Sequence, residues 1–453
     1  MQVALNAFRT ACQAVNPYLA VQKAIDVQST NVSIGKSLYN RCQNFKIVLI
    51  GFGKAVLPMT AAAEKSLGDL IKAGIVVAPR GSLRSNNFQS NVIYAYEAAT
   101  NNLPDEDSLI ATEKILQYRT YQKFTKAVLG GGSALFSSPR TEISLSQKLE
   151  TIRSLTSRGA TIQQLNIVRQ RLSRVKGGKI LKRITSGRVF SLIVSDIIND
   201  PVELIASGPT IFAGNENITP NDVIQALKAE KDLPREVVSL LQAEETAPIP
   251  SCSWNYQIIS SNSVALAAVE NFFREQQFSP LIVSRSLCGN ATDVGKKLAD
   301  LASVASMESL KFKLSQTFPK LEVKTNSRHV ALIFGGETTV LVQGNGKGGR
   351  NQEICLSALV ECKKMFHGQH FTKFLILSCG TDGQDGPTDA AGAYFASEAV
   401  DVDSAETYLK NSDSYSFWER FEDGIYHVKT GPTHTNVMDI QMVLIDFENN
   451  LNE

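Results

Sequence analysis

Residues 46–55 read KIVLIGFGKA. Lys46–Ile50 is a strand-like apolar run, Gly51 and Gly53 break it, and Leu57–Leu67 then follows helical spacing. A strand, a glycine turn and a helix in succession open a βαβ unit. The same order recurs along the chain. Strand-like runs stand at Ile75–Ala78, Val92–Tyr96, Ala127–Leu129 and Phe190–Val194. Later ones are Ile258–Ser260, Leu281–Ser284, Val330–Phe334, Thr338–Val342 and Phe374–Ser378. Thr141–Thr156 and Asn290–Ala302 fit the helical crossovers between them. The alternation predicts an α/β fold with largely parallel sheets.

The chain has 453 residues, 43% hydrophobic and 20% charged, enough for two or three domains of ordinary composition. Leu241–Ser251, rich in Pro, Glu and Ala, is the expected linker. It divides an N-terminal domain (1–245) from a C-terminal one (246–453). A formal net charge of +2 gives no electrostatic case for nucleic acid or an anionic membrane. No apolar run reaches the roughly 18 residues of a membrane span. Seven cysteines, an odd number without C-x-x-C, predict reduced thiols rather than a disulfide framework. A cytoplasmic location is therefore expected, with the mitochondrion as the alternative. Residues 1–25 hold Arg9 and Lys23 and no acid, like a weak transit peptide. However, Ala4, Phe8, Ala11, Val15 and Leu19 recur at helical spacing and predict a packed first helix. The tail from Glu448 is polar and expected to fray.

Five glycine- or aspartate-rich turns follow the expected strands, where ligands of open α/β sheets collect. In the first, Gly51 and Gly53 let a ligand approach the backbone, and Lys54 adds a cation at a helix N-terminus. Val56 stands where a dinucleotide fingerprint needs its third glycine. Ile34–Ser37 resembles the end of a P-loop, but Thr30 replaces its first glycine. The second turn, Gly130-Gly131-Gly132-Ser133, has the composition of an anion nest for a carboxylate or a phosphate. It is no nucleophile elbow, because Ala134 and Leu135 follow the serine. In the third, Asp196 and Asp200 follow a buried strand, placed to take a proton or hold a metal.

The fourth turn, Gly344–Gly349 with Lys347, Arg350 and Asn351, has glycines and cations suited to a triphosphate. The fifth, Gly380–Gly392, carries Asp382, Asp385 and Asp389, of which Asp382 and Asp385 join Asp200 as metal candidates. His367 and His370 near Cys362 read as an exposed helix end. Arg169, Arg171, Arg174, Lys176 and Lys179 read as a solvated basic face. Anion nests, cations and clustered aspartates together fit phosphoryl transfer.

Across most of its length the chain resembles the type II glycerate kinases, whose C-terminal region carries the MOFRL domain. The resemblance rests on Ala7–Arg9, Asn16–Tyr18, Gly51–Ala55, Asn102–Asp105 and Gly130–Leu135. It continues through Gly159–Ile162, Asn166, Arg169, Lys176–Gly178, Ile205–Thr210, Gly335–Thr338, Gly348–Glu353, Gly380–Gly392 and Thr435–Val437. It implies two α/β domains, the first Rossmann-like and the second holding the MOFRL region at about 328–445, with the active site in the cleft between them. It implies ATP, Mg²⁺ and D-glycerate, with 2-phosphoglycerate as product and small molecules as the only partners. Oligomeric state is left open, a homodimer included. Lys54 and Arg350 stand at the family's functional lysine and arginine, and Asp196 at an acidic position near the cleft. Gly348, Gly349, Asn351 and Asn436 stand in its substrate- and phosphate-binding motifs. Asn199, Cys379 and His434 replace glycines common in relatives. The alternatives are an NAD(P)H-dependent hydroxypyruvate reductase, in which Arg80 would meet a 2′-phosphate, and a non-catalytic nucleotide sensor.

Overall fold

Ile47, Val48, Leu49 and Ile50 are all buried in the computed structural model, as a strand covered on both faces requires. The structure describes residues 1–41, 45–99, 103–117, 125–130, 135–184, 187–212, 218–244, 252–324, 327–365, 372–399 and 403–447. Most of Leu241–Ser251, the tail from Glu448, and His367 and His370 lie outside them.

The first sheet contains β1 (Ile47–Phe52), β2 (Ile71–Pro79), β3 (Ile93–Ala98), β4 (Thr125–Gly130), β5 (Arg188–Val194) and β6 (Ser253–Ser260). Their order is β3-β2-β1-β4-β5-β6, and β1 to β5 are parallel. Chain order reverses between β1 and β4, the switch point of a doubly wound sheet. Helix α2 (Val56–Leu67) follows β1 directly. Helices α3 (Leu145–Ser157) and α4 (Ile162–Arg171) lie between β4 and β5 and begin in capping boxes, Ser144 with Gln147 and Thr161 with Gln164.

The second sheet contains β7 (Ser279–Leu287), β8 (His329–Gly336), β9 (Lys373–Gly380), β10 (Gly392–Ala396), β11 (His427–Val428) and β12 (Asp439–Asp446), in the order β7-β8-β12-β9-β10-β11. Only β7 and β8, with helix α6 (Ala291–Ala302) between them in the chain, pair in parallel; the other neighbours are antiparallel. This corrects the expectation of largely parallel sheets: β12 runs antiparallel through the centre. Thr338–Val342 is no strand. It makes one isolated bridge, Asn290 to Thr339, and leaves Leu341 and Val342 in solvent.

The chain divides into two compact units, Pro17–Ile259 and Met1–Asn16 with Ser260–Glu453. The expected division at 245/246 shifts for two reasons. Strand β6 completes the first sheet, so the first unit runs on past the linker. Helix α1 (Gln2–Ala14) packs its buried Ala4, Ala7, Phe8 and Ala11 with the second unit, against α5 (Asn262–Glu275). The Val15 carbonyl fixes this packing by accepting from Ser260 Oγ at 2.8 Å and Thr435 Oγ1 at 3.0 Å. Leu19 belongs to the next helix, Pro17–Ala24, and is exposed. Cys252, Cys355, Cys362 and Cys379 are buried, and no described helix is long and apolar enough to cross a membrane.

Candidate active site

The turn after β1 keeps its sequence-derived geometry. Gly51 and Phe52 close the buried strand, and Gly53 has φ 132°, a value that favours glycine. Its amide donates to the Val77 carbonyl at 3.1 Å, tying the turn to β2. No side chain caps the N-terminus of α2. The Val56 amide donates to the Gly53 carbonyl at 3.2 Å and Pro58 has no N–H, which leaves the Leu57 amide for a ligand or water. Lys54 is exposed beside this turn and has no hydrogen bond or ion pair among the described residues. Gly131, Gly132 and Ser133 lie outside the described residues.

Where the chain leaves β5, Ser195 is buried and Asp196 is exposed. Asn199 and Asp200 follow with φ 65° and 54°, successive left-handed residues just before Pro201. A proline disfavours helical conformations in the residue before it, so the turn is strained. Asp200 Oδ1 is buried without a hydrogen-bond donor. An orphaned carboxylate oxygen is what a hard cation can use.

In the second unit, antiparallel register sets Asp439 at the start of β12 opposite Gly336 of β8 and Gly380 of β9. Arg350 opens helix α7 (Arg350–Met365) and grips that carboxylate through Nε at 2.6 Å and Nη2 at 2.9 Å. Its Nη1 meets Glu337 at 3.1 Å. Burial pushes the Asp439 carboxyl up to about 6 against the pull of Arg350. Burial opposes the charge on Arg350 too, but hydrogen bonding and attraction from Asp439, then Glu337, outweigh it and raise its pKa. Glu353, three residues on in the same helix, accepts from Thr292 Oγ1 at 2.9 Å.

Three sequence assignments change here. Asp385 accepts from the Asn351 and Gln352 amides at 3.0 and 2.9 Å, and from Asn351 Nδ2 and Gln352 Nε2 at 3.2 and 3.0 Å. Both oxygens are thus spent capping α7, and the metal assignment of Asp385 gives way to a capping role. Asn351 is fully buried, and its side chain is engaged at the cap, where Oδ1 accepts from Ser378 Oγ at 2.6 Å. The glycines of Gly344–Gly349 serve close packing. A Cβ at Gly348 would overlap Ser414, and one at Gly349 would overlap Asp385. The Gly346 and Lys347 amides donate to Asn411 O at 3.0 Å and Asp413 Oδ1 at 2.9 Å, so the loop spends part of its backbone on the protein itself.

Asp382 remains half-buried, with Oδ1 accepting from the Gln384 amide at 3.0 Å, and Asn436 Oδ1 accepts from the Met438 amide at 3.1 Å. No group of three His, Cys, Asp or Glu among the described residues could hold a metal ion. Arg80 pairs with Asp105 at 3.1 Å and with Asp107, so it is not held ready for a 2′-phosphate. His434, like Asn199, is left-handed, with φ 59°, a conformation that glycine adopts more readily. The basic stretch is not a solvated face: α4 ends at Arg171, and Lys176 is only 3% exposed. Asp439 and Lys148 were not singled out by sequence. Asp439 carried one signal, an acid opening an apolar run.

Residues 3–242 match the family described as a domain of unknown function (DUF4147), and residues 330–439 match the MOFRL family. The glycerate kinase of Rattus norvegicus is 34% identical over 96% of this chain and 91% of its own length. The D-glycerate 2-kinase of Thermotoga maritima is 33% identical over 88% of this chain and 91% of its own. The crystal structure of a Thermotoga maritima glycerate kinase superposes with a TM-score of 0.78 at 30% identity, covering 98% of this chain and 99% of that one. The chain belongs to the glycerate kinase family, with a MOFRL domain in its C-terminal part.

Proposed function

We propose that this protein transfers the γ-phosphoryl group of ATP to the C2 hydroxyl of D-glycerate, giving 2-phosphoglycerate, ADP and a proton. The observation that carries the proposal is Lys54: an exposed cation with no partner among the described residues, beside a helix N-terminus without a side-chain cap, at the switch point of a doubly wound sheet. Phosphoryl transfer needs positioned positive charge more than covalent help. Lys54 carries part of the charge on the transferring group, and Arg350 is the second cation assigned to it. Asp196, exposed where β5 ends, orients the acceptor hydroxyl and takes its proton. Mg²⁺, when bound to ATP, supplies further charge neutralisation. The orphaned Asp200 Oδ1 fits such a cation, with the half-buried Asp382 as the second candidate.

Turnover with ATP and D-glycerate tests the assignment. Asp196→Asn is expected to lower kcat by about 10²–10⁴-fold as a lost general base. Lys54→Ala is expected to lower kcat/KM with an unchanged Tm. A parent protein that leaves D-glycerate unphosphorylated would refute the function. Variants with parental kinetics would return both residues to plain turn positions.

A further inference from the structure

Three basic side chains of the Pro17–Ile259 unit are withdrawn from water. Lys148 on α3 and Lys176 are 4% and 3% exposed, and Arg169 on α4 is half-buried. A buried cation is strongly destabilising unless an anion answers it. Lys148 Nζ has Ser137 Oγ at 3.2 Å, and neither Lys148 nor Arg169 forms an ion pair with a carboxylate among the described residues. Arg169 and Lys179, both cations, act on Lys148, and the charges of Lys148 and Arg169 reach Lys176. Burial first, and then these like charges, push Lys148 down to about 7 and lower Lys176 as well.

The surrounding frame is strained and firmly held. Lys176 Nζ donates to the Ala206 carbonyl at 3.0 Å. Ala206 and Ser207 have φ 53° and 60°, two successive left-handed residues that are not glycine. The Gly177 and Gly178 amides hold them through the Ser207 and Gly208 carbonyls at 2.9 and 2.8 Å. Ser207 Oγ donates to Asn166 Oδ1 at 2.7 Å, and Asn166 lies one turn before Arg169 on the same face of α4. Lys179, whose charge reaches Lys148, also lines a cavity of about 290 Å³ together with Arg140, Ser173, Arg174, Lys182 and Arg183.

From this geometry we infer that Lys148, Arg169 and Lys176 form a binding site for the oxyanion group, carboxylate or phosphoryl, of a small-molecule reactant. The counter-charge that Lys148 and Arg169 lack among the described residues arrives with the ligand. Which reactant supplies it rests on the glycerate kinase activity proposed above; the existence of the site does not.

The full-length protein is melted alone and with inorganic phosphate, D-glycerate or ATP, and steady-state kinetics are recorded for the same variants. At least one anion is expected to raise the parent Tm by about 3 °C or more. Lys148→Met should abolish that rise while the empty variant melts no lower than the parent. The KM of the reactant concerned should increase about 10–100-fold, the loss expected for a charged hydrogen bond. A change confined to D-glycerate identifies its carboxylate, and one confined to ATP identifies a phosphate. Arg169→Gln, at a half-buried position, repeats the test should Lys148→Met fail to fold. The site is overturned if the folded variants keep the parental shifts and KM values, or if they melt several degrees lower when empty with ligand shifts intact. Should D-glycerate not be phosphorylated at all, a Lys148-dependent shift with phosphate still upholds the site, and only the identity of its ligand falls.

Discussion

The two units hold their buried cations in opposite ways. In the unit containing the MOFRL region, Arg350 is answered within the chain by the buried Asp439 and by Glu337. In the Pro17–Ile259 unit, no carboxylate among the described residues pairs with Lys148 or Arg169, and the charges acting on Lys148 are those of Arg169 and Lys179. A guanidinium gripped at two points is fixed in direction before any ligand arrives. Lysines crowded by cations are held at a cost that an incoming anion removes. One arrangement suits orientation of charge and the other suits capture of charge.

The comparison breaks most easily at Asp439. Asp439→Asn leaves Arg350 without its carboxylate and is expected to lower stability by about 3 kcal/mol in denaturant titration. Lys148→Met, by contrast, should cost nothing. Equal losses in both variants would mean that Lys148 is as well compensated as Arg350.

Arg350→Lys comes next. An ammonium cannot reach Asp439 twice and Glu337 once, so alignment is lost while charge is kept. A fall in kcat of about 10²-fold, with ATP affinity retained, is expected if this arginine meets the transferring group. Parental kcat with a lowered Tm would confine Arg350 to its ion pairs.

The pH dependence of the empty protein is a smaller effect with a definite sign. Lys148 is lowered to about 7 when folded, against an ordinary value of 10.5. Between those values the unfolded chain holds the proton and the folded protein does not, so stability rises with pH. From pH 7 to pH 9 the gain is expected to be about 1–2 kcal/mol, and Lys148→Met should flatten it. A parental slope in that variant would remove Lys148 as its source.

The smallest effect concerns strain. Asn199 and His434 occupy left-handed conformations, one in each unit. Glycine at 434 is expected to stabilise by about 1 kcal/mol, and at 199 by less, because asparagine tolerates that region better. Equal gains in thermal melts would contradict the distinction.

These contrasts mark how far the sequence could be read. The strand–turn–helix at 46–67 was legible because its period, its glycines and its helix start are all local. Strand β12 was missed, although Ile440, Met442, Val443, Leu444 and Ile445 are apolar. Its place comes from antiparallel pairing with β8 and β9, and no local signal encodes such a partner. The site divided in the same way. Lys54 and Asp196 stand just past β1 and β5, where the sequence places them. Asp385 looked like a metal ligand until its partners on α7 appeared, and Lys176 looked solvated until its burial did. Charge type is written in the sequence, whereas charge compensation is a property of the fold.

The most direct test of the central claim is phosphorus NMR of the product formed from ATP and D-glycerate. A phosphate coupled to a single CH proton is expected, because transfer to the C2 hydroxyl gives 2-phosphoglycerate. Coupling to a CH₂ group would place the phosphate on C3 and contradict the proposed reaction.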